Sequence, residues 1–287
     1  QWGDTPWANI GIMQNQGIDG NIEFSNTTHG GFYYSFRGNM SFARNKIIED
    51  DTVYHTWDYQ DTRGRSAGLI YGLTALGLFE DQADVDNSPK QELGSYGVGD
   101  IKYKDLNDDG VINAYDYSFI GYGRTPEIVF GLGVTLAYKG FDLALNFSGA
   151  GHTKMLLDSN GMWPFALAYP SYNIYHEYFD NRYIPGEDNT NAKYPVVHAG
   201  QSTNNFTVNS LYMHDASYLK LKTAEFGYNF SKKACSKIGA ESVRIFLNGT
   251  NLFSLDKIKM TDPEFNHLGS ATYPTQRGLT FSVQLGF

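Results

Sequence analysis

Apolar and polar residues alternate along much of the chain, and the clearest run closes it. Leu279, Phe281, Val283, Leu285 and Phe287 share one parity, while Thr280, Ser282, Gln284 and Gly286 share the other. A period of two puts these sets on opposite faces of a strand. The same pattern forms a hairpin in mid-chain. Phe130, Leu132, Val134, Leu136 and Tyr138 alternate with Gly131, Gly133, Thr135 and Ala137, Lys139-Gly140 turns the chain, and Phe141, Leu143, Leu145 and Phe147 resume. A two-residue connection containing Gly is a tight hairpin signal. Tyr138 and Phe141 flank it on the apolar face, where an interfacial aromatic girdle would lie. Ile18, Gly20, Ile22 and Phe24, then Phe32, Tyr34, Phe36, Met40 and Phe42, and later Val243, Ile245 and Leu247, repeat the code. Between Tyr218 and Phe230 the phase slips: Leu219 and Leu221 share one face, and Ala224, Phe226, Tyr228 and Phe230 another. That slip predicts a bulge or a membrane boundary near Thr223.

The alternation predicts seven strands, at roughly 17–25, 31–44, 127–138, 141–150, 218–230, 241–251 and 277–287. Short connections (26–30, 139–140, 231–240) interleave with long ones (45–126, 151–217, 252–276). Short turns at one end and long loops at the other are the signature of an outer-membrane barrel, and long loops usually carry function. A secreted β-sandwich also alternates, but its outer faces would be rich in Lys and Glu. Here the polar faces hold Asn, Ser, Thr, Gly and Gln, which suits a wet lumen. The expected fold is therefore all-β: an antiparallel transmembrane β-barrel with long extracellular loops. Single-chain bacterial barrels have even strand numbers and no free edges, so an odd count makes residues 1–287 the C-terminal part of a larger barrel. In this reading the missing strands precede Gln1 and Phe287 is the true C-terminus.

Composition narrows the class. Aromatic residues make up 15% and charged residues 18%, and 22 basic against 31 acidic residues give a net charge of −9. No basic patch stands out, which excludes sequence-independent nucleic-acid binding. A single cysteine, Cys235, excludes an intrachain disulfide and a cysteine metal cluster. The best apolar run, Leu69 to Phe79, is interrupted by Gly72 and Gly77. It is too short for a spanning helix, which needs roughly 18 residues. The chain begins at Gln1 without a signal peptide, as a processed chain or a piece of a longer one would.

One motif carries sharp chemistry. Asp105-Leu-Asn107-Asp108-Asp109-Gly110-Val111-Ile112-Asn113-Ala-Tyr-Asp116 in the first long loop matches a calcium loop at its first, third, fifth and sixth positions. Asp105, Asn107 and Asp109 offer side-chain oxygens, and Gly110 permits the sharp turn. Val111 offers its carbonyl, and Asn113 acts through a water. Asp116 takes the last position, where Glu is usual. Ca²⁺ is the expected ion, pinning a long loop, and the shorter Asp leaves room for Mg²⁺ to compete. The competing reading is a solvated Asx-rich turn. The second long loop is aromatic, with Trp163, Phe165, Tyr169, Tyr172, Tyr175, Tyr178 and Tyr183. Trp163, Tyr169, Tyr172 and Tyr175 are candidates for facing substrate or a lid, although self-packing accounts for most of such a set. The seven histidines have no zinc-type spacing, and no nucleophile elbow or Walker-type loop appears. No catalytic residues are assigned.

Gly68-Leu-Ile-Tyr-Gly72 through Gly77-Leu-Phe79, Asp86-Asn-Ser-Pro-Lys-Gln91, Gly99-Asp-Ile-Lys-Tyr-Lys-Asp-Leu-Asn107 and Ile120-Gly-Tyr-Gly-Arg-Thr-Pro-Glu127 together resemble the SusC-like TonB-dependent outer-membrane transporters of Bacteroidetes. So do Tyr218-Leu-Lys-Leu-Lys222, Phe226-Gly-Tyr228, Asn248-Gly-Thr-Asn-Leu-Phe253, Asp262-Pro-Glu264 and Tyr273-Pro-Thr-Gln-Arg277. The resemblance implies a barrel of about 22 strands, of which these are the last seven. It also implies a plug domain and TonB box outside this chain, a SusD-like surface lipoprotein as lid, and energy from TonB. The implied cargo is a glycan oligosaccharide or a peptide, imported across the outer membrane of a Gram-negative bacterium without covalent chemistry. Asp108 departs from the family, whose loops often carry Gly there. On this reading Asp142, Asn146 and Arg244 line the lumen. The rival readings are a complete small porin or adhesin barrel, with one more strand hidden in Trp2 to Ile12, and a secreted calcium-dependent glycan-binding protein or glycosidase.

Overall fold

The computed structural model describes residues 9–157, 162–165, 174–200, 202–265, 273 and 275–287. Its frame is one seven-stranded antiparallel sheet in which each strand pairs with the next barrel strand along the chain. The strands are β1 (Ile12–Thr27), β2 (Tyr33–Glu49), β3 (Ile128–Tyr138), β4 (Phe141–Gly151), β5 (Tyr218–Asn229), β6 (Ser242–Asp256) and β7 (Gly278–Gly286). All seven expected strands form. β1 and β2, with 16 and 17 residues, run well past the alternating segments and past the roughly 9–11 residues that span a bilayer. Their ladder continues where both faces are polar, at pairs such as Gln16 with Arg44 and Asn15 with Asn45, because backbone pairing does not need an apolar face once the strand is in water. The part of Trp2 to Ile12 preceding residue 9 lies outside the described residues.

Register turns the separate alternations into two continuous surfaces. On one, Phe24 lies beside Phe36, Phe36 beside Val134, and Val134 beside Leu145. Further along, Phe226 meets Leu247 and Leu247 meets Phe281. These side chains are left outside any core: Ile22 is 73%, Leu279 73% and Phe281 67% exposed. An apolar face on this scale is covered by lipid rather than water. At its short-turn end the rings join into a collar. Phe32 and Tyr138 lie 6.2 Å apart, Phe141 and Tyr228 4.6 Å, and Tyr228 and Phe230 5.0 Å.

The opposite face is polar. Asp142 and Glu225 both receive the guanidinium of Arg244, Glu225 at 2.7 Å. Asn229 donates to Asp142 at 2.7 Å and Asn146 to Thr223 at 2.8 Å. Gly227 passes beneath this cluster, and a Cβ there would stand 2.6 Å from Arg244 Nη2. The phase slip in β5 is a bulge: against β4, Lys222 is the extra residue between Leu221 and Thr223, and the β6 ladder shifts at the same place, skipping Asn251 and Leu252.

The long connections, 50–127, 152–217 and 257–277, leave from the same end of the sheet, and their described residues pack on one another. Ile70, Leu73, Ile101, Tyr103 and Ile112 from the first form one buried cluster with Met155, Leu156, Tyr178, Tyr194 and Tyr212 from the second and Ile258 from the third. Among the described residues this cluster is the hydrophobic core, and it lies in the loops rather than in the barrel wall.

Candidate functional site

The calcium-type loop is built on backbone order. Val111–Ile112 pairs in parallel with Lys90–Gln91, and Ile112 is fully buried in the loop core. Its apolar eighth position therefore anchors the loop. Gly110 (φ 82°) and Asp108 (φ 58°) are both left-handed, the conformation Gly adopts freely and Asp tolerates. Asp105 Oδ2 accepts from the Gly110 amide at 2.7 Å, and Asp109 Oδ1 from Val111 at 2.8 Å. Asp116, wholly buried, accepts from Leu106 and Asn113, each at 2.8 Å. The carbonyls of Gly110 and Ile112 accept from Lys90 and Glu92. In extended chain the carbonyl between them, that of Val111, points the other way. Asn113 caps the turn that follows by accepting from Tyr115.

Asp105 Oδ1 is buried and has no hydrogen-bond partner. A buried carboxylate oxygen without a partner is costly unless a cation meets it. Accepting one N–H leaves the other carboxylate oxygens with lone pairs to share. Among the described residues no three His, Cys, Asp or Glu side chains gather closely enough to hold a metal by themselves. The donors here are of mixed kind, carboxylate, amide and carbonyl, as a hard cation accepts. The negative field reaches its neighbour: burial first, then Asp116, Tyr71, Asp105 and Asp109, raise the Tyr59 phenol. Tyr59 and Gln60 hold the loop, donating to the Tyr115 carbonyl at 2.8 and 3.1 Å.

Of the aromatic candidates, Trp163 stacks on Phe206 at 5.6 Å and meets Tyr212 at 6.5 Å, within the loop core. Tyr175 packs against the same core at the start of a short helix, His176–Asp180. Tyr169 and Tyr172 lie outside the described residues. Tyr178 and Tyr194, 4.9 Å apart, are buried too. Packing thus takes up the described aromatic candidates. A cavity of about 730 Å³ opens beside them, lined by residues including Phe79, Glu80, Tyr183, Glu187, Lys193 and His214. Burial lowers the His214 pKa, and its Nε2 has no partner.

Two polar clusters were not singled out in the sequence. Asp100, buried, lies 2.6 Å from His198 Nε2 and accepts from Asn205 at 2.6 Å. Gln91 and Asn204 complete this web around the Ile101 and Tyr103 backbone. The asparagine run Asn204-Asn205, with Asn209, was its only sequence signal. The second cluster pins the third loop to the wall. Lys220, 4% exposed, contacts Asp262 and lies 2.9 Å from Glu264, which Lys222 also reaches. Burial pushes both carboxyls up, but hydrogen bonds from the lysines outweigh it and hold them below the ordinary range.

The comparisons agree with this architecture. No family model matches the chain. It is 26% identical over 97% of its length to TonB-dependent receptor P26 of Formosa agariphila, and 26% identical over 97% to receptor P3 of the same organism. It is 22% identical over 96% to TonB-dependent receptor SusC of Bacteroides thetaiotaomicron. The chain spans 26–30% of the length of these relatives. Among solved structures, the RagAB peptide transporter superposes with a TM-score of 0.72 at 17% identity, over 97% of this chain and 29% of that one. The RagAB peptide importer in its open-open state gives 0.70 at 18%, over 96% and 29%. Both share the barrel fold.

Proposed function

We propose, from the premise that this chain is barrel wall of a SusC-like TonB-dependent transporter in the outer membrane of a Gram-negative bacterium, that it serves active import of oligomeric nutrients. The observation that carries this reading is the division of the sheet. One face is apolar and unpacked, the other polar, and all three long loops gather into one roof at one end. A wall of this kind encloses a wet passage, and the roof stands where cargo arrives. The import complex includes a SusD-like surface lipoprotein over the roof and TonB acting through parts outside this chain. The cargo is a glycan oligosaccharide or a peptide. A solved neighbour is named a peptide transporter and a relative is SusC, and these support either class. The chain performs no covalent chemistry.

Within this function the Asp105–Asp116 loop holds Ca²⁺, with Mg²⁺ as a weaker competitor. Asp105, Asn107, Asp109, the Val111 carbonyl and Asp116 ligate, and Asn113 acts through a water. The unpartnered Asp105 Oδ1 supports this. The ion stiffens the first loop against the parallel pair Lys90–Gln91 and Val111–Ile112.

The test is purification of the native protein from membranes, with intact mass and uptake measured together. A polypeptide several times heavier than 32.1 kDa, carrying this sequence, co-purifying with a surface lipoprotein and taking up oligomers only with TonB, is expected. A detergent-free soluble species of 32.1 kDa overturns the reading.

A further inference from the structure

The short-turn end of the sheet carries charge of the opposite sign to the chain as a whole. The net charge is −9. Yet the β3–β4 turn holds Lys139, and the β5–β6 connection holds Lys232, Lys233 and Lys237, with Glu241 the one acid beside them. All four lysines are exposed, and the lysine ion pairs of the described residues involve others. The two turns adjoin: the Asn229 amide donates to the Gly140 carbonyl at 2.7 Å. The second turn is a fixed platform. Its helix, Lys232–Cys235, is closed by the Cys235 amide donating to Ser231 and the Ala240 amide to Cys235, with Cys235 and Ala240 buried. Asp142 and Glu225 do not neutralise it, because they face the lumen and are taken by Arg244.

What surrounds these lysines is apolar and turned outward. Ile238 is 63% exposed and Phe230 40%. The aromatic collar of Tyr138, Phe141 and Tyr228 lies directly above, and Lys139 Nζ sits 5.0 Å from the Tyr138 ring. Long amphipathic side chains beside an aromatic belt place their stems in the acyl region and their charges at headgroup level. A cluster of cations there attracts an anionic surface.

We propose that this end of the barrel binds the phosphate headgroups of anionic phospholipids in the leaflet it faces. Lys139, Lys232, Lys233 and Lys237 meet the phosphates, and Ile238 and Phe230 sit among the acyl chains. The site rests on the transmembrane orientation of the sheet and not on the identity of the cargo. Charge complementarity and the exposed apolar rim select a lipid over an acidic soluble partner.

The experiment uses the full-length transporter in mild detergent, titrated with phosphatidylglycerol and with phosphatidylethanolamine and read by native mass spectrometry. The wild type is expected to retain phosphatidylglycerol preferentially. The variant Lys232→Gln/Lys233→Gln/Lys237→Gln is expected to lose that preference by about fivefold per lysine at low salt, and added salt is expected to weaken the wild type in the same direction. A control, Lys90→Gln/Lys193→Gln/Lys257→Gln at the opposite end, keeps the wild-type preference. Heat-modifiable gel mobility and uptake check folding and import separately, so loss of uptake with lipid preference intact counts against import alone. Equal retention of both lipids by the wild type, an unchanged preference in the triple variant, or capture of an acidic protein without lipid preference overturns the proposal.

Discussion

Asp116 shows how much one residue can do in this loop. It caps two amides from a fully buried position. Asp116→Ala strands Leu106 and Asn113, and losing two buried partners costs about 1–3 kcal/mol each. The loop is therefore expected to exchange its amides faster whether or not Ca²⁺ is present. Asp105→Asn keeps the shape and removes one charge, so its expected effect is confined to the ion: calcium affinity by titration calorimetry on the full-length protein falls at least tenfold, with unchanged exchange in chelator. Equal affinities for Asp105→Asn and wild type would return the segment to a solvated Asx turn. Asp108 is the opposite case. Its φ of 58° is one that Asp tolerates and Gly adopts freely, and Asp108→Gly is expected to stabilise the loop by up to about 1 kcal/mol.

Strands and clusters carry the next set of expectations. Phe281 and Ser282 are adjacent in β7 but face opposite ways, Phe281 beside Leu247 and Ser282 beside Phe246. Phe281→Arg puts a charge into lipid and is expected to cost about 2–4 kcal/mol, whereas Ser282→Arg meets the wet lumen and costs little. Urea unfolding in vesicles, with gel mobility as readout, compares them, and equal effects would refute the lipid-facing assignment. The Lys220–Asp262–Glu264–Lys222 cluster predicts a pH response. Both carboxyls titrate below their ordinary values in the folded loop. The contact is therefore complete above about pH 4.5 and fades as pH falls through the depressed values. Hydrogen exchange in the 257–265 segment is expected to rise only on the acid side, and Lys220→Met is expected to shrink that acid limb to the part carried by Lys222 and Glu264.

Across the whole molecule, stability is split between two media. The wall has almost no buried apolar core, because its apolar face is turned out to lipid. The roof has a core drawn from all three loops, and it orders segments that no local periodicity describes. Legibility follows the same division. Barrel strands, turn lengths and the β5 bulge could be read from alternation, because a strand between lipid and water records its faces at period two. The turn at Asp105–Asp116 was readable because its Asp, Asn and Gly residues close on backbone amides only at fixed positions. The Asp100–Asn205–His198 web and the Lys220 latch were not, since their partners lie about a hundred and about forty residues apart.

The order of residues alone determined that the chain forms transmembrane strands, how many, which faces meet lipid, and where an acidic, turn-forming loop falls. Each of these is local: it depends on parity, on a bulge, or on a twelve-residue spacing. Only the tertiary structure decided that the aromatic second loop is packed inward at Trp163, Tyr178 and Tyr194 rather than displayed. It alone put Asp142 and Glu225 on the same arginine, and seated the β5–β6 lysines beside the β3–β4 turn. Those outcomes depend on register between strands and on which distant loops share a core, and long-range pairing leaves no periodic trace in a single sequence.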